Sequence, residues 1–230
     1  METTIWSAIV TSTGQESFGG FPRESYIAYA LWGAFFGRIG SNWMYEYRMI
    51  EEIETGSVNG VLVRPISFFE YYLSQFMGYK LLTTFISFLV PIFITLTVAN
   101  GPTIHARLPL ACAVLILYLF LVHTISFSVA TLSFFLTRVH GFTVAKNIGL
   151  TILTGELFPL DLVPEPYRTW LLWLPFSNSV FVPVGYLTGR LGIEDVARGV
   201  LSIFMGLAFF GMIAAVAWRA GCRRYSGTGA

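Results

Sequence analysis

Charge is scarce in this chain. Only 12% of its residues are Asp, Glu, Lys or Arg, against 55% hydrophobic and 17% aromatic, and the mean hydropathy is +0.67. Soluble domains carry about a quarter charged residues. The net charge of +1 supplies no basic surface to neutralise phosphates, which excludes a nucleic-acid partner. Two cysteines, Cys112 in an apolar run and Cys222 in the C-terminal tail, are too far apart in context for a structural disulfide. Three histidines, His105, His123 and His140, are scattered, so no metal-ligand spacing arises. The nucleotide-binding GxxxxGK[ST] loop is absent, and any ATP chemistry must come from a partner chain. No HExxH, no GxSxG and no paired aspartates within apolar runs are present, which argues against an intramembrane enzyme. The apolar stretch at 5–10 is too short for a secretory signal and lacks a basic flank.

What the chain has instead is long uncharged runs. Residues 81–98, 108–137 and 199–218 contain no Asp, Glu, Lys or Arg. Runs of this length match the ~20 residues a helix needs to cross ~30 Å of hydrocarbon. The expectation is an all-α integral membrane helix bundle with five spans, at 26–44, 75–99, 108–137, 141–160 and 199–218. Arg38 interrupts the first, and Lys146, Asn147 and Glu156 sit in the fourth. A charge near the bilayer centre costs roughly 2.5–3.5 kcal/mol on insertion scales, so those two helices belong inside the bundle. With 46–74 placed in the cytoplasm, eight basic residues fall inside and five outside, with Lys146 counted at the inner interface. That puts the N-terminus outside and the C-terminus inside, in a cytoplasmic membrane.

Two segments are neither span nor short loop. In 46–72, Tyr47, Ile50 and Ile53 recur at helical spacing among Glu51, Glu52 and Glu54. This predicts an amphipathic helix closed by Gly56. Pro65 biases Arg64 out of the helix, and a surface helix over 67–72 leads into the second span. In 158–190 lie five of the ten prolines, among many aromatics. The stretch is broken too often to cross as one helix; it reads as short helices dipping back into the outer leaflet, or as an interfacial loop anchored by Trp170 and Trp173. In the first span Gly33 and Gly37 form GxxxG, followed by Gly40, a face suited to close packing within the subunit or against a second one. Arg38 either counters an anionic substrate group, pairs internally or reaches the inner headgroups; Glu156 either holds the proline-rich segment or lines an exit. His123 reads as a hydrogen-bonded core residue.

The stretches IETGSVNGVLVRPIS and TGELFPLDLVPEPYRTWLLWLPFSNSVFVPVGYLTGR, in this order, resemble the permease subunits of ABC-2-type ATP-binding-cassette transporters. The resemblance implies one permease domain over 1–230, re-entrant helices before the last span, a second identical or related permease, and cytoplasmic ATPase subunits that hold the ATP and magnesium. No cofactor and no metal belong to this chain itself. It further implies that Ile50, Glu51, Glu52, Ile53, Glu54, Arg64 and Pro65 engage the ATPase, the isoleucines filling an apolar groove and the glutamates meeting basic residues. The substrate it implies is a small or lipophilic molecule carried out of a prokaryotic cell. Family members have six spans and open with an amphipathic helix and a first span. METTIWSAIV resembles the tail of that helix, so the five spans here correspond to the family's second to sixth. Either an apolar helix is encoded upstream or the subunit is naturally shortened. The rival reading is an ATPase-independent scaffold or channel subunit in the membrane.

Overall fold

The computed structural model describes the backbone of residues 17–18, 21–42, 45–98, 101–157 and 160–225, and side chains in 29–42, 45–89, 106–157 and 160–225. The stretch METTIWSAIV lies outside the described residues. A two-residue antiparallel pair, β1 (Ser17–Phe18) and β2 (Phe21–Pro22), precedes an otherwise helical chain. The helices are α1 (Arg23–Gly40), α2 (Tyr45–Glu54), α3 (Asn59–Leu62), α4 (Phe68–Val98), α5 (Gly101–Ala130), α6 (His140–Leu153), α7 (Tyr167–Trp173), α8 (Phe181–Leu187) and α9 (Ile193–Arg224). Short 3-10 turns fall at Thr131–Phe134, Leu160–Leu162 and Pro175–Asn178.

Several helix limits differ from the sequence-based expectation, among them the first span, which is Arg23–Gly40, and the third, which is Gly101–Ala130 followed by a 3-10 turn; three others have a local reason. The surface helix and second span are one helix, α4. Ser67 accepts a hydrogen bond from the Glu70 N–H at 3.5 Å, and no Gly or Pro follows before residue 78. The last helix starts at Ile193, ahead of the expected 199, because the Asp195 carboxylate accepts the Gly192 N–H at 3.0 Å. Glu194 and Asp195 at its start and Arg223 and Arg224 at its end both suit the helix dipole. The helix expected over 141–160 stops at Leu153, since Gly155 takes φ +79° and the chain turns back, the Phe181 N–H donating to the Thr154 carbonyl at 3.0 Å. At 14 residues α6 is about 21 Å long.

Several polar and charged side chains are buried while many large apolar ones face outward. Glu46, Lys80, His123, Asn147 and Asn178 are buried, while Leu81, Phe85, Leu89, Phe209 and Met212 are each more than 60% exposed. Two of the described helical stretches, Ala106–Phe134 and Ile193–Arg224, are long and apolar enough to cross a membrane. They occupy different places. In its most apolar window the first is 56% buried and the second 22%. Helix α5 is thus the spine, buried continuously from Leu121 to Ser128, on which α1, α2, α4, α8 and α9 pack. Helix α9 turns most of its side chains outward.

Two apolar cores result. The larger packs Trp32, Phe36, Tyr118, Val122, Phe181 and Ile203 from α1, α5, α8 and α9. The smaller joins α2 and α3 to the start of α4 and the end of α5 through Met49, Ile50, Ile53, Val61, Phe68 and Phe127. Trp218 stacks on Phe68 there, with centroids 5.1 Å apart and rings 14° from parallel.

Candidate functional site

Helix α2 is amphipathic, as its spacing predicts: Glu46, Met49, Ile50 and Ile53 are buried, and Arg48, Glu51 and Glu54 are exposed. Gly56 closes it with φ +80°, a left-handed conformation that costs a glycine little, and the Tyr225 hydroxyl donates to the Gly56 carbonyl at 3.2 Å. The expectation that Ile50 and Ile53 fill a partner's groove does not hold. They are 0% and 3% exposed and pack inside the chain's own smaller core. Glu52 pairs with Arg48 at 3.5 Å across one helical turn. The exposed apolar side chains lie further on, at Leu62, Val63 and Ile66, where Val63 is 83% exposed and flanks exposed Arg64 and Pro65. Sequence reading missed them because a short LVRPI stretch has no periodicity to mark it.

The underside of α2 carries a buried polar chain into the bundle. Lys146 on α6 forms an ion pair with Glu46 Oε1 at 2.6 Å, with the two side chains 8% and 0% exposed. Lys146 is therefore buried within the bundle. Its ammonium also donates to the Ser126 hydroxyl at 2.9 Å, and the Asn42 amide donates to the same oxygen at 2.6 Å. Glu46 Oε2 is buried with no hydrogen-bond partner among the described residues. Beside this chain, the Tyr45 hydroxyl donates to the Tyr72 carbonyl at 2.6 Å and lies 3.1 Å from His123 Nδ1. Burial pushes the Tyr45 phenol well above its ordinary pKa, with Tyr72 and Glu46 adding to the shift, so the hydroxyl keeps the proton it donates. His123 Nε2 lies 3.3 Å from the Phe69 carbonyl, which makes His123 a hydrogen-bonded core residue tying α5 to the first turn of α4.

Gly33, Gly37 and Gly40 all face the chain's own later segments. A Cβ on Gly37 would lie 2.8 Å from the Glu156 side chain, one on Gly40 1.9 Å from Ser179 Oγ, and one on Gly33 3.7 Å from Val180. The GxxxG face is an intrachain packing surface, and the subunit-interface alternative is corrected accordingly. Glu156 sits over Gly37 and lines a narrow cleft of about 20 Å³ with Tyr118, Asn147 and Ser179. Arg38 lines a separate cavity of about 240 Å³ between α1 and α4. Ser41 and Asn42 line both, so the two spaces adjoin.

At the other end the proline-rich stretch folds into α7, a 3-10 turn and α8. Asp161, 7% exposed, holds it together, accepting from Arg168 at 3.0 Å and Arg190 at 3.2 Å. The Arg190 guanidinium also lies 5.2 Å over the Tyr29 ring of α1. Asp161 is thus a carboxylate that fastens this segment, which the sequence reading did not single out. Trp170 and Trp173 on α7 are exposed, whereas α8 is buried from Phe181 to Gly185. The stretch thus has an outward half at α7 and a half packed inside the chain at α8. The Asn178 amide pins the turn before α8 to α9, donating to Ser202 Oγ at 3.0 Å.

Large apolar side chains on the exterior, over buried ions and amides, point to a membrane protein. The chain matches the family model for the ABC-2 family transporter proteins over residues 2–229 and belongs to that family, as a membrane transport component. Searches among curated proteins and among solved structures return no match.

Proposed function

We propose that this chain is the membrane-spanning permease subunit of an ABC exporter. It forms the substrate path with a second permease and is driven by a separate ATPase that carries the ATP and magnesium. In this reading α1, α4, α5, α6 and α9 are the spans, with α6 extended by the turn at 154–157. The α2–α3 platform faces the cytoplasm. The exporter sits in the cytoplasmic membrane of a prokaryote.

One observation carries the reading. The platform exposes Glu51 and Glu54 and, a few residues further along the chain, the apolar side chains of Leu62, Val63 and Ile66, while its underside is locked to the bundle interior. A surface built to be gripped is apolar at the centre and charged at the rim. The buried Ile50 and Ile53 make it rigid, so a push on the edge moves α4 and α5 with it. Arg64 and Pro65 set the path of the chain from the platform into α4.

The test is co-purification of the tagged chain with its ATPase. Glu51→Lys with Glu54→Lys, and separately Val63→Asp, should each abolish it without changing thermal stability. A platform variant that keeps full ATPase association would defeat the docking role. Stable isolation with no P-loop ATPase under any condition would favour the scaffold or channel alternative.

A further inference from the structure

The cavity of about 240 Å³ between α1 and α4 has a chemistry the transport reading does not use. Its charged lining residues are Arg38 and Lys80, with hydroxyls from Ser41, Thr83 and Ser87, and no carboxylate. Lys80 is 6% exposed and donates to the Ser41 carbonyl, just past the C-terminal end of α1. That carbonyl fixes the ammonium and takes one of its three N–H donors. Arg38 is exposed and forms no ion pair among the described residues. Glu156 lines the neighbouring cleft.

Two cations held at one cavity in an apolar bundle call for an anion. Geometry narrows the class. Phe76, Lys80, Thr83 and Ser87 share one stripe of α4 and face the cavity, while Leu82, Ile86 and Leu89 form an exposed apolar stripe beside it. The space is smaller than the ~300–1,000 Å³ of pockets that enclose drug-sized ligands. It suits a head group whose hydrocarbon stays outside along α4. We propose that this cavity binds a phosphate ester, carried by an anionic membrane lipid that lays its acyl chains on the Leu82–Ile86–Leu89 stripe. The soluble source of the same chemistry is a free glycerol phosphate. The site rests on the membrane reading of the chain but not on the ATPase partnership.

The test is binding to the full chain, purified in detergent, read by native mass spectrometry. Phosphatidylglycerol is titrated against phosphatidylcholine, with glycerol 1-phosphate as soluble competitor. The wild type should prefer phosphatidylglycerol by about tenfold, Arg38→Lys should keep that preference, and Arg38→Gln should lose most of it. Arg38 is exposed, so its variant does not put the fold at risk; Lys80→Met, checked by its melting temperature, should lose the preference as well. Competition by glycerol 1-phosphate assigns a free phosphate ester, and its failure to compete assigns the lipid. Equal binding of the two lipids, or a phosphatidylglycerol preference unchanged in Arg38→Gln, overturns the site. Binding is read without ATPase or transport, so this outcome is separate from that of the co-purification test.

Discussion

Lys146 on α6 and Glu46 on α2 meet at 2.6 Å with both side chains buried, joining the amphipathic platform to the centre of the bundle. Opposite charges removed from water stabilise a fold only weakly as a pair, but a single survivor is costly, at about 3–5 kcal/mol. Lys146→Met and Glu46→Gln should each lower unfolding stability in detergent, the first by roughly that amount because it strands a carboxylate. The double variant Lys146→Met with Glu46→Leu should recover most of the loss. Chemical denaturation followed by tryptophan fluorescence checks this; two singles as stable as the wild type would show that the pair holds nothing.

The platform separates folding residues from contact residues. Ile50→Ala should cost about 2–4 kcal/mol of stability, as truncation of a buried aliphatic side chain does. Glu51→Lys should stay within about 0.5 kcal/mol, as an exposed substitution. Melting temperatures of the two variants side by side decide the matter. An Ile50→Ala protein that melts normally would place that side chain at a partner surface after all.

The glycine face makes a graded prediction. Gly33→Ala should be tolerated, since its Cβ would sit 3.7 Å from Val180. Gly40→Ala should be severe, because the new atom would fall 1.9 Å from Ser179 Oγ. Combining Gly40→Ala with Ser179→Gly should restore much of the stability. Proteolysis rates and thermal melts report the order. Equal effects at Gly33 and Gly40 would contradict intrachain packing.

The five-span arrangement is tested by labelling from one side of the membrane. In a background with Cys112 and Cys222 replaced by Ala, Glu54→Cys should react with an impermeant maleimide only in inside-out vesicles. Thr169→Cys should react only in intact cells. Both positions labelled from the same side would break the topology and with it the cytoplasmic placement of the platform.

Much of this was legible in the residues because lipid and helix geometry leave few choices. The uncharged run from 108 onward marks α5, and Gly56 marks the end of α2 through its need for a positive φ. What was not legible is which surface covers an apolar face. The spacing of Ile50 and Ile53 shows that they are covered, and a partner groove and the chain's own core produce the same pattern. Gly33 and Gly37 pose the same ambiguity. Glu46 was hidden by its acidic neighbours, although it lies on the stripe of Met49, Ile50 and Ile53, where a carboxylate has to find a cation. Asp161 was overlooked beside Glu156 because its two arginines, Arg168 and Arg190, are far apart along the sequence.

The Tyr225 hydroxyl on the Gly56 carbonyl has a mechanical consequence. Helix α9 is a stiff rod of about 48 Å with one end clasped to the acidic platform and the other beside the proline-rich helices, where Ser202 receives Asn178. Our hypothesis is that displacement at one face of the protein arrives at the opposite face along this rod, bypassing the packed middle. Severing the clasp with Tyr225→Phe would then slow transport while leaving ATPase capture intact, and an undiminished transport rate in that variant would retire the idea.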